Sequence, residues 1–213
     1  MSISKAYKLY LFDLDGTLVD TKLDIALAMQ KVLGDAGLNV PSLDEVEKAI
    51  GGGAKNAVGK LTGLDGDALT PLLDAFIAAY EELCADHTEV YAGGEALLKR
   101  LKSEGAKLAV VTMKLRAPTH KILKHHGLLS LLDDVLSFDD LEKRKPEPDS
   151  LLALAQKHGI TPQEVLVIGD TVTDIRYAQN AGADVCAVEY GYGELKDIVS
   201  LAPNRMVKSL LEI

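Results

Sequence analysis

Short apolar runs alternate with helical patterns along most of this chain, and this alternation restricts the fold more than any other feature. Strand-like runs occupy residues 8–12, 107–112, 134–138, 165–168, 184–188 and 204–207. Helical patterns separate the later runs and occupy residues 93–103, 117–126, 149–158 and 174–181. Strands that alternate with helices predict a parallel sheet covered on both faces and joined by right-handed crossovers. We therefore expect an α/β fold with a Rossmann-like parallel sheet as its core.

Residues 21–86 interrupt this alternation with helical spacing and no convincing strand. One helical face carries Ile25, Ala28, Met29, Val32 and Leu33. Glycine and proline breaks follow at residues 37–41, 51–53 and 63–66,. A stretch of this length has the size of a small separate unit. We expect a core domain of residues 1–19 and 88–213, with a helical cap domain of residues 20–87 inserted after the first strand.

Two carboxylates directly follow the first strand. Asp13 and Asp15 are two positions apart, and Gly16 and Thr17 come next. Side chains two residues apart on a strand point the same way. Like charges held this close raise each other's pKa unless a cation lies between them, and Mg²⁺ prefers such oxygen ligands. The alternative, a turn with solvated acids, accounts poorly for an apolar strand that leads directly into it.

Polar side chains also follow three later strands. Thr112 ends one run, Lys145 lies in a basic turn after the next, and Asp170 and Asp174 follow the run 165–168. Ligands of open parallel sheets bind beyond the carboxyl ends of the strands. We therefore expect these groups to converge on the same edge of the sheet as Asp13.

Each of these residues also has a simpler explanation. Thr112 would cap the helix that begins near Leu115. Lys145 would lie in a solvated basic turn. Asp170 and Asp174 would be acids that favour a helix N-terminus. For Asp174 the choice stays open between touching a metal and only orienting Lys145 and bound water.

Taken together, these residues resemble the four motifs of the haloacid dehalogenase superfamily, in the expected order. Asp13 begins Asp-x-Asp-Gly-Thr, Thr112 ends the second motif, Lys145 lies in Lys-Pro-x-Pro, and Asp170 and Asp174 form Gly-Asp-x-x-x-Asp. The resemblance covers essentially the whole chain, and its helical insert corresponds to the family's cap. Within the superfamily the chain is most similar to the phosphoglycolate phosphatase-like branch.

The resemblance implies a Mg²⁺-dependent phosphatase that works through an aspartyl-phosphate. Asp13 is the expected nucleophile, and Asp15 is the expected general acid and then general base. Mg²⁺ is expected to bind Asp13, the backbone carbonyl of Asp15, and Asp170, with Asp174 as a further candidate ligand. A threonine replaces Asp15 in relatives that drive ion transport, so the aspartate favours rapid hydrolysis.

The expected phosphate-binding groups are Gly16, Thr112, Met113 and Lys145. Lys145 supplies positive charge opposite the metal, and Thr112 donates a hydrogen bond to a phosphoryl oxygen. Relatives commonly carry Thr-Asn-Lys at the second motif, whereas this chain carries Met113 in place of the asparagine. A backbone N–H at Met113 still suits phosphate, but the side-chain amide is absent.

In the expected cap, a glycine turn leads into a helix. Gly52 and Gly53 expose backbone N–H groups there, and Lys55 follows, so this turn is a candidate site for an anionic end of the substrate. An ordinary turn between two helices explains the same residues equally well.

Composition limits the partners. A net charge of −9 and a pI near 5.0 argue against nucleic acid and anionic membranes,. Cys84 and Cys186 lack metal-ligand spacing and predict free thiols in a reducing, cytoplasmic compartment,. We expect a small phosphorylated metabolite as the substrate, with phosphoglycolate favoured, and a monomer or homodimer. Two alternatives stay open: a sugar phosphomutase of the same superfamily, and a non-catalytic phosphoaspartate switch.

Overall fold

The computed structural model describes residues 6–213, so the first five residues of the predicted core lie outside the description. Its strands are β1 (Leu9–Phe12), β2 (Val19–Asp20), β3 (Glu89–Val90), β4 (Lys107–Val111), β5 (Asp134–Leu136), β6 (Val165–Gly169), β7 (Asp184–Val188) and β8 (Arg205–Val207). Its helices are α1 (Lys22–Asp35), α2 (Leu43–Ala49), α3 (Ala54–Thr62), α4 (Gly66–Leu83), α5 (Gly94–Ser103), α6 (Arg116–His125), α7 (Asp149–His158), α8 (Val172–Ala181) and α9 (Leu195–Ser200). None of the described helices is both long enough and apolar enough to cross a bilayer.

Six strands form one sheet in the order β5-β4-β1-β6-β7-β8, and every pairing in it is parallel. In β1, Leu9 is in register with Lys107 of β4 on one side and with Val165 of β6 on the other. The strand order therefore reverses beside β1. A reversal of this kind opens a crevice at the carboxyl end of the central strands, which is where ligands bind in open α/β sheets.

The hydrophobic core lies on both faces of this sheet. Alternation along β1 sends Tyr10 and Phe12 into one cluster with α5 and α6, and Leu9 and Leu11 into another with α7, α8 and α9,. Because all four β1 residues are buried, the strand is a continuous apolar run, as expected for a parallel sheet covered twice,. This burial holds the residue after Phe12 at a fixed place.

Helices α1 to α4 pack mainly on one another and continue the first of these core clusters. The chain enters this helical unit after β2 and leaves it before β3, and the two strands pair antiparallel, with Val19 opposite Val90. Asp24, fully buried on α1, joins the two crossings: its carboxylate accepts hydrogen bonds from the backbone N–H groups of His87 and Thr88. Thr88 Oγ1 donates to the same carboxylate at 2.9 Å.

The predicted α/β class with a parallel sheet is confirmed, and each of the six expected sheet strands is present within one to two residues of its predicted bounds. The helical breaks at residues 37–41, 51–53 and 63–66 all separate helices of the structure. The prediction did not contain β2, β3 or α9. The division into a core and a cap at residues 19/20 and 87/88 stays a prediction.

Candidate active site

Asp13 lies at the tip of the central strand. Its backbone N–H donates to the carbonyl of Ile168 at 2.9 Å, so it extends the ladder between β1 and β6 by one residue. Thr112 does the same at the end of β4, with its N–H donating to the carbonyl of Leu136 at 2.9 Å. Regular pairing therefore fixes the backbone of both residues at the carboxyl edge of the sheet.

Lys145 reaches the same edge from the loop before α7. Its Nζ donates to Asp13 Oδ1 at 2.6 Å and to Asp174 Oδ1 at 2.6 Å. Only 3% of its side chain is exposed, so the alternative of a solvated basic turn is wrong. Burial opposes the charge of the ammonium, but Asp13 and Asp174 outweigh it and raise the pKa of Lys145 above its ordinary value,.

Asp13, Asp170 and Asp174 form a cluster of carboxylates. One oxygen of each lies within 4.8 Å of the others. Burial, with the charges of Asp174 and Asp170, raises the pKa of Asp13 well above its ordinary range despite the Lys145 ammonium. Burial and Asp174 raise the pKa of Asp170 to about 7. A buried set of oxygen donors with excess negative charge is suited to a hard divalent cation such as Mg²⁺.

Asp170 is held in place by two different segments. Thr17 Oγ1 donates to its Oδ1 and the backbone N–H of Tyr192 donates to its Oδ2, both at 2.8 Å. A Cβ added to Gly16 would lie 2.4 Å from Asp170 Oδ2, and one added to Gly191 would lie 2.1 Å from Asp170 Cβ. Glycine is required at both positions because the backbone passes directly over this carboxylate.

Gly16 therefore has a structural role that the sequence did not predict. It adopts a φ of +79°, and its N–H donates to the carbonyl of Val19 at 2.9 Å. This N–H is already bonded, and Gly16 does not line the cavity described below. Gly16 makes room for Asp170, and phosphate binding by Gly16 stays a prediction.

Asp174 combines the two roles that the sequence left open. It is the third residue of α8 and forms a capping box with Thr171, whose Oγ1 donates to Asp174 Oδ2 at 2.6 Å,. Its other oxygen, Oδ1, accepts the bond from Lys145 and lies within the carboxylate cluster. The capping bonds fix the carboxylate so that its second oxygen points at the site.

Asp15 lies outside the carboxylate cluster and has its own cation. Lys114 Nζ donates to Asp15 Oδ1 at 2.8 Å and to Oδ2 at 3.1 Å, and Thr21 Oγ1 donates to Oδ1 at 2.8 Å. The Lys114 side chain is 5% exposed. The side chain of Asp15 is thus held by two residues of the surrounding loops and not by the cluster. Metal binding by its backbone carbonyl stays a prediction.

The hydroxyl of Thr112 is free to donate. Thr112 is buried, and its Oγ1 accepts a hydrogen bond from the backbone N–H of Lys114 at 3.2 Å, which leaves its O–H directed elsewhere,. Helix α6 begins with Leu115 as its N-cap and has no side-chain cap, so the alternative of a capping role for Thr112 is wrong. Met113 lines the cavity beside it.

A cavity of about 440 Å³ lies above the strand ends and is lined by these residues. Asp13, Asp15, Thr112 and Lys145 contribute its floor, and residues of helices α1 to α4 contribute its roof. The turn at Gly52 and Gly53 also lines it, and a Cβ added to Gly53 would lie 3.5 Å from the Met113 carbonyl oxygen. The helical unit therefore lies directly over the strand ends, next to the residues of the second motif.

Lys55 lies outside this cavity, and its predicted contact with substrate stays a prediction. Asn56, Ala57 and Lys60 of α3 line the cavity, whereas Lys55 is exposed and does not. Each residue of a helix turns by about 100°, so Lys55 points from roughly the opposite face of α3. Lys60 and Lys48 are the cavity-lining lysines of the described helical unit.

Sequence reasoning missed Lys114, Thr17 and Tyr192. Lys114 and Thr17 lie within the second and first motifs. Their positions just after β4 and β1 could have identified them as site residues. Tyr192 lies in the loop after β7, where nothing marked it. Its hydroxyl donates to Asp20 Oδ1 at 2.9 Å and accepts from the Thr21 N–H at 2.8 Å, so it connects Asp170 to the crossing at β2.

Comparison with known proteins agrees with this geometry. Residues 10–188 match the family of haloacid dehalogenase-like hydrolases. A phosphoglycolate phosphatase of Nitrosospira multiformis is 36% identical over 96% of this chain and 93% of its own length. One of Aquifex aeolicus is 34% identical over 94% of this chain and 95% of its own. The crystal structure of a predicted phosphoglycolate phosphatase from Haemophilus somnus has a TM-score of 0.89 and 31% identity, covering 97% of this chain and 96% of that one. The expected family and enzyme class are confirmed: the chain belongs to the haloacid dehalogenase-like hydrolases and is a phosphoric monoester hydrolase.

Proposed function

We propose that this protein is a Mg²⁺-dependent phosphatase that hydrolyses 2-phosphoglycolate through an aspartyl-phosphate on Asp13. The observation that carries the proposal is the set of contacts around Asp13. It lies at a fixed strand end, accepts a bond from the buried Lys145, and faces a cavity that Asp15 also lines. A nucleophile, a charge partner and a second acid are thus present together.

Asp13 is the proposed nucleophile. One of its oxygens attacks phosphorus, and the bond from phosphorus to the ester oxygen breaks. The Lys145 ammonium compensates charge on Asp13 and on the phosphoryl group during this step. The Thr112 hydroxyl donates to a phosphoryl oxygen, and we propose the backbone N–H of Met113 as a second donor. Because Lys145 and Thr112 are buried, water does not weaken these interactions,.

Asp15 is the proposed acid and base. It gives a proton to the leaving oxygen, and the departing alcohol then makes room for water. Asp15 takes a proton from that water, whose oxygen attacks phosphorus and breaks its bond to Asp13. Inorganic phosphate is released, and the Asp13 carboxylate is restored. A position after the strand end, away from the carboxylate cluster, is suited to a group that acts in both steps.

Asp13, Asp170 and Asp174 are the proposed ligand residues for Mg²⁺, together with the Asp15 carbonyl. The bound ion supplies charge neutralisation for the clustered acids and for the phosphoryl group. Thr17, Tyr192 and Thr171 hold the ligand carboxylates in position. Such supporting bonds are typical of metal sites.

The relatives support phosphoglycolate as the substrate, because they are named phosphoglycolate phosphatases and match nearly the whole chain. We also propose that Gly52 and Gly53 form part of the roof over the substrate, because both line the cavity. Two buried free thiols, Cys84 and Cys186, support a reducing, cytoplasmic location,. A monomer or homodimer stays a prediction.

The test is a panel of phosphorylated metabolites assayed for phosphate release with Mg²⁺, using the wild type and Asp13→Asn. The amide cannot attack phosphorus, so we expect kcat to fall by about a thousandfold or more for every substrate. Asp35→Asn is the matched control, because Asp35 is an exposed carboxylate that pairs with Lys31 on α1. It should leave turnover unchanged.

Near-normal activity of Asp13→Asn would contradict the covalent mechanism. Transfer of phosphate from a sugar bisphosphate to a sugar, without net release of phosphate, would instead identify a phosphomutase. A phosphoenzyme that survives for hours in the wild type would identify a switch.

A further inference from the structure

Three apolar residues just beyond the strand ends line the cavity without belonging to the core. Met113 and Leu115 follow β4, Val172 begins α8, and all three are half-buried. Within residues 6–213, neither hydrophobic cluster includes any of these three strand-end apolar residues. Apolar surface of this kind is stabilised by contact with an apolar ligand, because the contact removes it from water.

The strand-end apolar residues are chain neighbours of the reacting groups. Met113 lies between Thr112, the proposed donor to a phosphoryl oxygen, and Lys114. Lys114 Nζ donates to Asp15 Oδ1 at 2.8 Å. Val172 is the first residue of the helix that carries the last carboxylate of the cluster. The apolar surface therefore begins next to the groups that handle the phosphoryl group and the leaving oxygen.

The roof of the cavity is also apolar. Ile50, the C-cap of α2, and Ile77 of α4 line the cavity and are half-buried. Both pack against the first core cluster, which holds them in place. Gly53 brings the roof close to the strand ends, since a Cβ there would lie 3.5 Å from the Met113 carbonyl oxygen. A ligand in this cavity thus has apolar residues of the helical unit and of the sheet edge around it.

The cavity has more room than phosphoglycolate needs. Its volume is about 440 Å³. At about 30 Å³ for each non-hydrogen atom, the share of a water molecule in the liquid, phosphoglycolate fills roughly 270 Å³. On the same scale the remainder takes roughly five further non-hydrogen atoms. A leaving group larger than glycolate by this amount therefore fits.

The exposed charges that line the cavity are of both signs. They are Lys48, Lys60, Glu81, Glu194 and Asp197. Charges that are solvated and mixed in this way attract a second anionic group only weakly. They do not restrict the leaving group to anionic ones, so an uncharged extension is accommodated beside the apolar residues.

We propose that the strand-end apolar residues, together with Ile50 and Ile77 of the roof, form an apolar leaving-group subsite. Through it the enzyme also hydrolyses phosphate monoesters of uncharged alcohols with about four to six carbons. This inference rests on the proposed phosphatase chemistry and goes beyond it by adding a second substrate class to phosphoglycolate. The bonds that form and break are those of the proposed mechanism, and the products are the alcohol and inorganic phosphate.

The test measures kcat/KM for phosphate release from ethyl, butyl and hexyl phosphate with Mg²⁺. Burial of one methylene group is worth about fourfold in kcat/KM, so butyl phosphate should exceed ethyl phosphate by about tenfold or more. Phosphoglycolate is measured beside these esters, because its hydrolysis tests the proposed function separately from the subsite.

Met113→Gln keeps the length of the side chain and the backbone N–H but removes the apolar character. It should lower the ratio of kcat/KM for butyl over ethyl phosphate about threefold or more, and any loss common to both esters cancels in this ratio. Met113→Leu should preserve the ratio, because leucine is apolar too. Leu152→Gln is the matched control: Leu152 is 41% exposed on α7 and does not line the cavity, so the ratio should stay unchanged.

The remaining outcomes each decide one part of the inference. Hydrolysis of phosphoglycolate without a rise from ethyl to hexyl phosphate would leave the phosphatase standing and reject the subsite. No release from any ester would reject both. A rise with chain length that neither Met113→Gln nor Val172→Thr reduces would reject the assignment to the strand-end apolar residues, as would an equal fall of the ratio in Leu152→Gln. Release from the alkyl esters but not from phosphoglycolate would support the subsite and reject phosphoglycolate as the substrate.

Discussion

Each of the two acids that follow β1 has its own buried lysine. Lys145 binds Asp13 at 2.6 Å and Lys114 binds Asp15 at 2.8 Å. Two carboxylates so close in sequence would otherwise repel each other in a site with little water. The pairing also separates them chemically, because Asp13 shares its lysine with Asp174 while Asp15 does not. Different surroundings suit the two acids to different tasks.

Asp15→Asn should slow both proton transfers while keeping the side chain in place. The first step should suffer less with p-nitrophenyl phosphate, whose leaving group needs little protonation, than with phosphoglycolate. Hydrolysis of the intermediate then becomes limiting, and we expect a burst of nitrophenol equal to the enzyme concentration. Asparagine is preferable to alanine because it can still accept from Lys114, which would otherwise be left unpaired in a buried place. Equal damage with both esters and no burst would remove Asp15 from this role.

The residues at strand ends were predictable from sequence, and the residues of the roof were not. Asp13, Thr112 and Asp170 each follow an apolar run, and parallel strands bring their carboxyl ends to one edge. The lining lysine of α3, Lys60, was not predicted, because a helix presents one face to the cavity, and which face depends on packing that a single sequence does not reveal. Tyr80 lines the cavity from α4, but its place in the sequence is typical of a core position in an apolar helix.

The elements that connect the sheet to the helical unit are very short. Strands β2 and β3 have two residues each, so they show no periodicity from which they could be predicted,. Beside this pairing, the buried carboxylate of Asp24 accepts from His87 and Thr88 and so connects the two crossings. Lys121 of α6 adds a second tie, donating to the carbonyls of Glu81 and Glu82 at the end of α4.

Asp24→Ala should destabilise the protein strongly. It leaves the buried backbone N–H and hydroxyl of Thr88 without their acceptor and also removes the acceptor of the His87 N–H, at a cost of about 3 kcal/mol or more,. For a chain of this length each 1 kcal/mol lowers the melting temperature by roughly 2–4 °C, so we expect a loss of about 6–12 °C. Thermal unfolding measures it. A shift below about 2 °C in this assay would mean that water replaces the carboxylate, and that the crossings are not tied by Asp24.

At the scale of the whole molecule, part of the negative charge lies where it opposes folding. The chain has a net charge of −9, and three of its carboxylates share the buried cluster at Asp13, Asp170 and Asp174. The folded state therefore binds protons there more tightly than the unfolded state does. Either protons or a cation must compensate this charge for the fold to reach its full stability.

Without metal, stability should fall as the pH rises from about 4 to about 7. Burial raises the pKa of Asp170 from 3.8 to about 7 and that of Asp13 in the same direction, so ionisation of the cluster is unfavourable in the folded protein. Lys145 stays protonated throughout this pH range, so it does not change the direction in which stability depends on pH. Mg²⁺ binds the ionised carboxylates and should raise the melting temperature more at pH 7.5 than at pH 5. When the free Mg²⁺ concentration is a hundred times its Kd, binding raises the free energy of unfolding by about 2.7 kcal/mol.

Asp170→Asn supplies the control for this measurement. It removes the titrating group, so its melting temperature in EDTA should depend less on pH between 4 and 7, and Mg²⁺ should stabilise it less than the wild type. If the wild type showed the same melting temperature with Mg²⁺ and with EDTA at pH 7.5, the carboxylate cluster would not be the metal site.

The antiparallel pairing of β2 with β3 has a consequence for how such proteins diversify. Because the chain leaves and returns through two neighbouring strands, with Val19 opposite Val90, the ends of the helical unit lie side by side. A different insert with the same end spacing can be grafted there without moving the register of any strand in the six-stranded sheet. Exchange of the insert at this junction would place different leaving groups beside the same Asp13 and Lys145. Substrate choice and phosphoryl chemistry can therefore evolve independently.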